Sequence, residues 1–200
     1  MKRREILPID VYEFHCDDVQ PIIDALDSIQ FVRSNNPQHH DLASISKDTL
    51  LHRTIPELGR FIDACNAELW AEIGTDDTKL VTTEAWATLC EPGQRHHQHY
   101  HVNSYASGIL YLADHNQATR LSGPDPWNTF NVCPHLDTAM EREVHSKAVA
   151  GKSIMFPSSI RHHVGSNELV SNRATIAWNT FPAGKMRILG SLAYLEIEVK

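Results

Sequence analysis

The sequence predicts a mainly β protein, a sandwich or barrel of short strands with packing helices at its N-terminal end. Three observations lead there. The apolar residues follow a helical period up to about residue 78 and a strand-like period after it. From Lys79 onward, short apolar runs alternate with turn residues, the spacing of an all-β fold. The 200 residues, 42% of them apolar, suffice for one core of ordinary size.

The first helix is expected from Asp17, with Val19, Ile22, Ile23, Leu26 and Ile29 on its apolar stripe. Asp17 or Asp18 can cap it, and Pro21 is tolerated in the first turn. The polar stretch Ser34 to Lys47 reads as a surface loop. A second helix is expected from about Thr54, where Thr54-x-x-Glu57 has the form of a capping box. Leu58, Phe61, Ile62, Cys65 and Leu69 then form its buried face, and Gly74 ends it.

The expected strands are Leu80–Cys90, His99–Val102, Ser107–Ala113, Val144–Val149, Ser153–Phe156, Ala174–Phe181 and Ala193–Val199. Glu91-Pro92-Gly93 and Ala150-Gly151-Lys152 supply turns. Ser122–Pro134, rich in Pro and Asn, reads as a long loop near one mouth. With no internal repeat or linker, residues 1–200 are expected to form a single domain, helical over about 1–78 and β over about 79–200.

Bulk properties narrow the partners. A net charge of −7 disfavours nucleic acid and anionic membranes, since no basic excess exists to neutralise phosphates. No apolar run has the length of a membrane span, and Met1-Lys2-Arg3-Arg4 leads into Glu5 rather than a signal-peptide core. Cys16, Cys65, Cys90 and Cys133 form no CxxC pair, which excludes a zinc ribbon and fits reduced thiols in a cytoplasm. A homodimer is compatible with this composition.

The chemistry concentrates in histidines. Of thirteen, only His96, His97, His99, His101, His162 and His163 fall in clusters with metal-ligand spacing. On a strand, His97, His99 and His101 would share one face, and two imidazoles there can grip one ion. A third ligand must come from elsewhere, and His162 or His163 offers it. Imidazole suits iron, zinc and copper alike, so ligand type does not choose the metal. Eleven residues after His162 comes Arg173. On a strand it shares a face with Thr175, and an inward guanidinium needs an anionic partner, either a ligand carboxylate or an acidic side chain.

The order HxH, about sixty residues, His, eleven residues, Arg resembles the iron(II)- and 2-oxoglutarate-dependent oxygenase superfamily. More closely, Trp86, Gly93, His99-Tyr-His101-Val-Asn103-Ser104, Ser107-Gly-Ile-Leu-Tyr111-Leu, Phe156-Pro-Ser and Arg173 through Asn179 are similar to the 2-oxoglutarate oxygenases of phages and marine bacteria. The likeness covers roughly residues 80–182. It implies a double-stranded β-helix (jelly roll), iron(II) as cofactor, and 2-oxoglutarate and dioxygen as co-substrates.

Carried over residue by residue, the resemblance implies His99, His101 and His162 as metal ligands, with His163 at a variable position. Arg173 and Thr175 fall on the pair that holds the far carboxylate of 2-oxoglutarate, and Tyr111 is a further candidate for it. His101 stands where the superfamily has a carboxylate, which leaves the site one negative charge short. The activity implied is hydroxylation of a small or polymer-borne substrate. Two other readings stay open on the residues alone. One is a cupin-like three-histidine enzyme without 2-oxoglutarate, a dioxygenase or zinc hydrolase; the other is a non-catalytic jelly-roll binding module. Arg95, Arg120 and Trp127 are candidates to meet a polar substrate, and Asp114 is a carboxylate that could replace His101 on the metal.

Overall fold

The computed structural model describes residues 9–33, 43–75, 77–123, 143–187 and 194–198. Its elements run β1 (Tyr12–His15), α1 (Gln20–Leu26), β2 (Phe31–Val32), β3 (Ser44–Ser46), α2 (Leu51–Thr54), α3 (Pro56–Ile73), β4 (Thr78–Cys90), β5 (His96–His99) and β6 (Ala106–Tyr111). They continue with β7 (His115–Ser122), β8 (Glu143–Ala148), β9 (Lys152–Pro157), β10 (Arg161–Val164), β11 (Arg173–Arg187) and β12 (Tyr194–Ile197). The larger sheet has the order β1-β9-β6-β11-β4-β3-β2, with β12 added to β11, and the smaller sheet the order β5-β10-β7-β8. All the paired strands run antiparallel. The order mixes distant parts of the chain, as a jelly roll requires.

The spine of the larger sheet is β11, paired with β4 from Arg173↔Cys90 to Gly184↔Thr78 and with β6 from Thr175↔Tyr111 to Thr180↔Ala106. Two-residue alternation sends Ile176 and Trp178 to one face, where both are fully buried. Helix α3 covers that face with Leu58, Ile62, Cys65 and Leu69, and they share one apolar cluster with Ala85, Ala87, Leu110 and Met155. The opposite face of β11, which carries Arg173, Thr175 and Ala177, lines a pocket.

Gly108 sits directly opposite Trp178 in the β6–β11 register. A Cβ added there would lie 2.1 Å from two ring atoms of the indole. Trp178 has no room to retreat, since Phe61 meets it edge-on at 6.4 Å between ring centres. Gly108→Ala is therefore expected to cost about 1–3 kcal/mol through overpacking. Chemical denaturation checks this; unchanged stability would mean the indole is not pressed against that backbone.

Several expectations for the first 78 residues need correction. The segment is not helical throughout, because β1, β2 and β3 lie within it and join the larger sheet. Tyr12 and Phe14 alternate with exposed Glu13 on the edge strand β1, a four-residue pattern too short to stand out from its polar surroundings. The proposed loop Ser34–Lys47 contains β3, and its residues 34–42 lie outside those described. The capping box does not form. Thr54 closes α2 while Ile55 precedes Pro56 at the start of α3, and the Thr54 hydroxyl turns to Leu51 O and Asp48 Oδ2, both at 3.4 Å. Neither Asp17 nor Asp18 is the cap of α1: Val19 holds that position without a side-chain cap bond, and Asp18, one residue earlier, accepts from the Gln20 N–H at 3.0 Å.

In the β region the expected strands are present with shifted ends, and two were missed, β7 and the four-residue β10 (Arg161–Val164). β7 (His115–Ser122) is largely polar, with only Thr119 and Leu121 buried, so it offers little apolar alternation to read. Most of the expected loop Ser122–Pro134, with Trp127 and Cys133, lies outside the described residues.

Candidate metal centre

His99 ends β5, and its Cα partner across the smaller sheet is His162 on β10. The rings of this pair lie 4.2 Å apart, centre to centre. His101 lies beyond the strand, which corrects the expectation of a strand over His99–Val102. Its position comes from the connection to β6 instead, where its backbone N–H donates to Ser158 O at 3.0 Å. A left-handed Asn103, at φ 54°, turns the chain back toward β6. One ring nitrogen from each of His99, His101 and His162 lies within 4.8 Å of the others.

The second nitrogen of each imidazole is already engaged. His99 Nδ1 lies 2.8 Å from His97 O, His162 Nδ1 3.1 Å from Ile160 O, and His101 Nδ1 2.5 Å from Asn179 Oδ1. A carbonyl oxygen can only accept, so Nδ1 carries the proton in all three rings and Nε2 keeps a free lone pair. Burial, chiefly, holds His99 down to about 4 and His162 down to about 3, and His101 is lowered for the same reason. The three rings are thus neutral at pH 7, in the tautomer that metal ligation needs. The donor set fits a divalent transition metal.

The other acidic and histidine candidates lie outside this group. His97 is exposed and outside the group of three. His163, next along β10 and opposite Arg120 of β7 in the register, lines the same pocket as the three imidazoles but is outside the group of three. Asp114 accepts from the Ala150 N–H at 2.9 Å, far along the chain in the β8–β9 turn, and is not part of the cluster. Arg95 and Arg120 are exposed side chains.

The three imidazoles line one pocket. His96, stacked on His99 at 5.1 Å, shares its wall with Trp86, Thr88, Tyr111, Thr119 and Phe156. Arg173 and Thr175 line it as well, so one pocket contains both halves of the expected constellation. Arg173 is 7% exposed, and among the described residues its guanidinium meets only Cys90 Sγ at 3.2 Å and Gly165 O at 3.4 Å. No carboxylate within that set neutralises it, and burial pulls its pKa down. A buried cation without an anionic partner is costly.

Its corner is built by Asn167, whose amide donates to Cys90 O at 2.9 Å and to Ser171 O at 2.8 Å. Tyr111, 2% exposed, donates to Thr119 Oγ1 at 2.7 Å. Sequence reasoning placed His96 in the histidine cluster without a role, and missed Asn179, Thr119 and Asn167 as parts of this region. Asn179 alone had a visible signal, as the last residue of the Arg173–Asn179 block.

The jelly roll thus brings to one pocket three neutral imidazoles, a donor set that fits a metal ion, and a buried arginine with no carboxylate partner among the described residues. Residues 84–179, which include both histidine blocks and Arg173, match the model of the family described as "Putative 2OG-Fe(II) oxygenase". Solved structures share the fold at low sequence identity. The 2-oxoglutarate-dependent epimerase SnoN of nogalamycin biosynthesis is 12% identical, over 91% of this chain and 82% of that one, with a TM-score of 0.61. HygX from Streptomyces hygroscopicus, solved with nickel, 2-oxoglutarate and hygromycin B, is 12% identical over 85% and 82%, with a TM-score of 0.57. A Trichoplax adhaerens prolyl hydroxylase is 14% identical over 82% and 76%, with a TM-score of 0.56. No curated protein matches the chain. Among the described residues no helix is long and apolar enough to cross a membrane.

Proposed function

We propose that His99, His101 and His162 hold one iron(II) ion, that Arg173 and Thr175 hold the far carboxylate of 2-oxoglutarate, and that the outcome is hydroxylation of one C–H bond. The observation that carries this reading is the buried Arg173, without a carboxylate partner among the described residues, in the same pocket as the three imidazoles. Iron with bound 2-oxoglutarate supplies dioxygen activation coupled to decarboxylation of the co-substrate to succinate. The residues contribute binding, orientation and charge.

Three neutral imidazoles leave the ion at 2+, and the two carboxylates of 2-oxoglutarate offset two of the three positive charges that the ion and Arg173 bring. Arg173 presents a planar fork to the distal carboxylate, and Cys90 and Gly165 orient that fork from behind. Thr175, next on the same face, adds a hydroxyl. Tyr111 is Thr175's neighbour across β6, but its phenolic proton is committed to Thr119. Thr119 Oγ1 accepts that proton and so has its own hydroxyl proton to give. Tyr111 then acts on the carboxylate through Thr119. Apolar Phe156 and Ile109 exclude water from the inner wall.

Residues 1–200 are read as one domain, because α3 and the larger sheet share a core. A cytoplasmic setting belongs to the same reading, supported by the free thiols of Cys16, Cys65 and Cys90. The substrate is a small molecule or a group on a polymer, and the net charge of −7 argues against nucleic acid.

The test is anaerobic titration of the iron-loaded protein with 2-oxoglutarate, followed by oxygen. The expected result is a visible metal-to-ligand absorption band, then slow succinate formation even without a primary substrate. No band and no succinate would refute the reading.

A further inference from the structure

Of the three imidazoles, only His101 depends on a side chain for its orientation. His99 and His162 lean on backbone carbonyls, which no substitution removes. His101 Nδ1 faces Asn179 Oδ1, and Asn179 is itself 8% exposed. The same Oδ1 accepts from Ser107 Oγ at 3.0 Å. Ser107 in turn lies 2.8 Å from Ser158 Oγ, which lies 2.7 Å from Ser104 Oγ, and Ser104 donates to Ala106 O or Thr180 O. Each hydroxyl has one proton to give. Ser107 Oγ lies equally 3.0 Å from His101 Nδ1; because Asn179 Oδ1 can only accept, the shorter His101–Asn179 contact is made by the Nδ1–H of the imidazole, and the Ser107 proton goes to Oδ1. The Asn179 side chain also sits at the β11 irregularity between Asn179 and Thr180, which sets it apart from regular strand geometry.

We infer that Asn179, backed by Ser107, is the positioning residue for the third metal ligand: its neutral oxygen fixes the His101 tautomer and so keeps the site without a carboxylate at 2+. The inference rests on the iron reading above. An amide with its nitrogen toward His101 would reverse the proton and place N–H on the ligating nitrogen. A carboxylate at 179 would fix the same tautomer while returning negative charge beside the ion. Neutrality at 179 is thus a specificity choice, favouring an anionic co-substrate.

The probe is cobalt(II), whose absorption reports both affinity and geometry. Asn179→Leu, close in volume but without an acceptor, is expected to bind cobalt roughly 10–100-fold more weakly, with a changed d–d spectrum resembling that of His101→Ala. Asn179→Asp, nearly isosteric, is expected to keep parental cobalt affinity or exceed it, yet to bind 2-oxoglutarate more weakly in calorimetry of the cobalt form. A leucine variant with parental affinity and spectrum overturns the inference, and so does an aspartate variant whose 2-oxoglutarate affinity equals the parent's. Should the leucine variant fail to fold, the aspartate arm alone decides. His99→Ala is measured alongside. If it too binds cobalt like the parent, the metal assignment itself has failed; if it loses cobalt while the Asn179 variants are unaffected, only the inference has.

Discussion

Replacing His99 or His162 with alanine is expected to remove tight iron binding, by more than the roughly 10–100-fold typical of losing an outer hydrogen-bond partner. Each side chain supplies one of three ring nitrogens gathered within 4.8 Å, and no other histidine or acidic group in the described residues can take its place. The controls are His97→Ala and His163→Ala. They stand beside the ligands in sequence but outside the group, and both variants should retain one ion per chain. Metal analysis after dialysis reads all four. Parental metal content in His99→Ala and His162→Ala would end the assignment. Circular dichroism separates ligand loss from misfolding, which matters most at His162, 5% exposed and packed edge-on against Phe156 at 5.0 Å.

Arg173→Leu carries the second large effect, and its two halves have opposite signs. A charge-assisted pair with a carboxylate stabilises by about 1.5–3 kcal/mol, so 2-oxoglutarate affinity should fall roughly ten- to hundredfold or more. Iron binding should persist, since Arg173 does not belong to the group of three. The ligand-free protein, however, should be as stable as the parent or more so. There the guanidinium is buried with only a thiol and a distant carbonyl for company, and an apolar side chain of similar reach relieves that burden. Thermal unfolding without co-substrate and the absorption titration with it read the two halves. A marked drop in stability with unchanged 2-oxoglutarate affinity would make Arg173 a structural residue.

The site was more legible in the sequence than the framework that holds it. His99, His101, His162 and Arg173, which the fold gathers in one pocket, stood out in the sequence because their residue types suit metal and carboxylate binding and their spacing is carried by two short blocks. His101 joins the cluster by a route its strand spacing does not foretell, since β5 stops at His99 and a loop presents the third imidazole. Asn167 and Thr119 were invisible for a different reason. Their importance lies in partners 77 and 8 residues away in the chain, Cys90 and Tyr111, and pairings of that kind exist only after the sheets have formed. In the first third, the stripe Leu58, Ile62, Cys65 and Leu69 of α3 was readable from its period, whereas β2 and β3, two and three residues long, have no period to read. The failed capping box shows local preference yielding to context: Pro56 starts the helix, and Thr54 is consumed by the turn before it.

The place of β5 in its sheet carries one more consequence. This strand lies at an edge and has a single neighbour, β10, joined to it across an irregular register. His99 and His162 face each other on those two strands, so an ion held by both would rivet the border of the sheet to its interior. Chelation would then do more than silence chemistry. It would unfasten a selvage, and the amides of residues 96–99 should trade their hydrogens with solvent sooner than those of β7, which has partners on both sides.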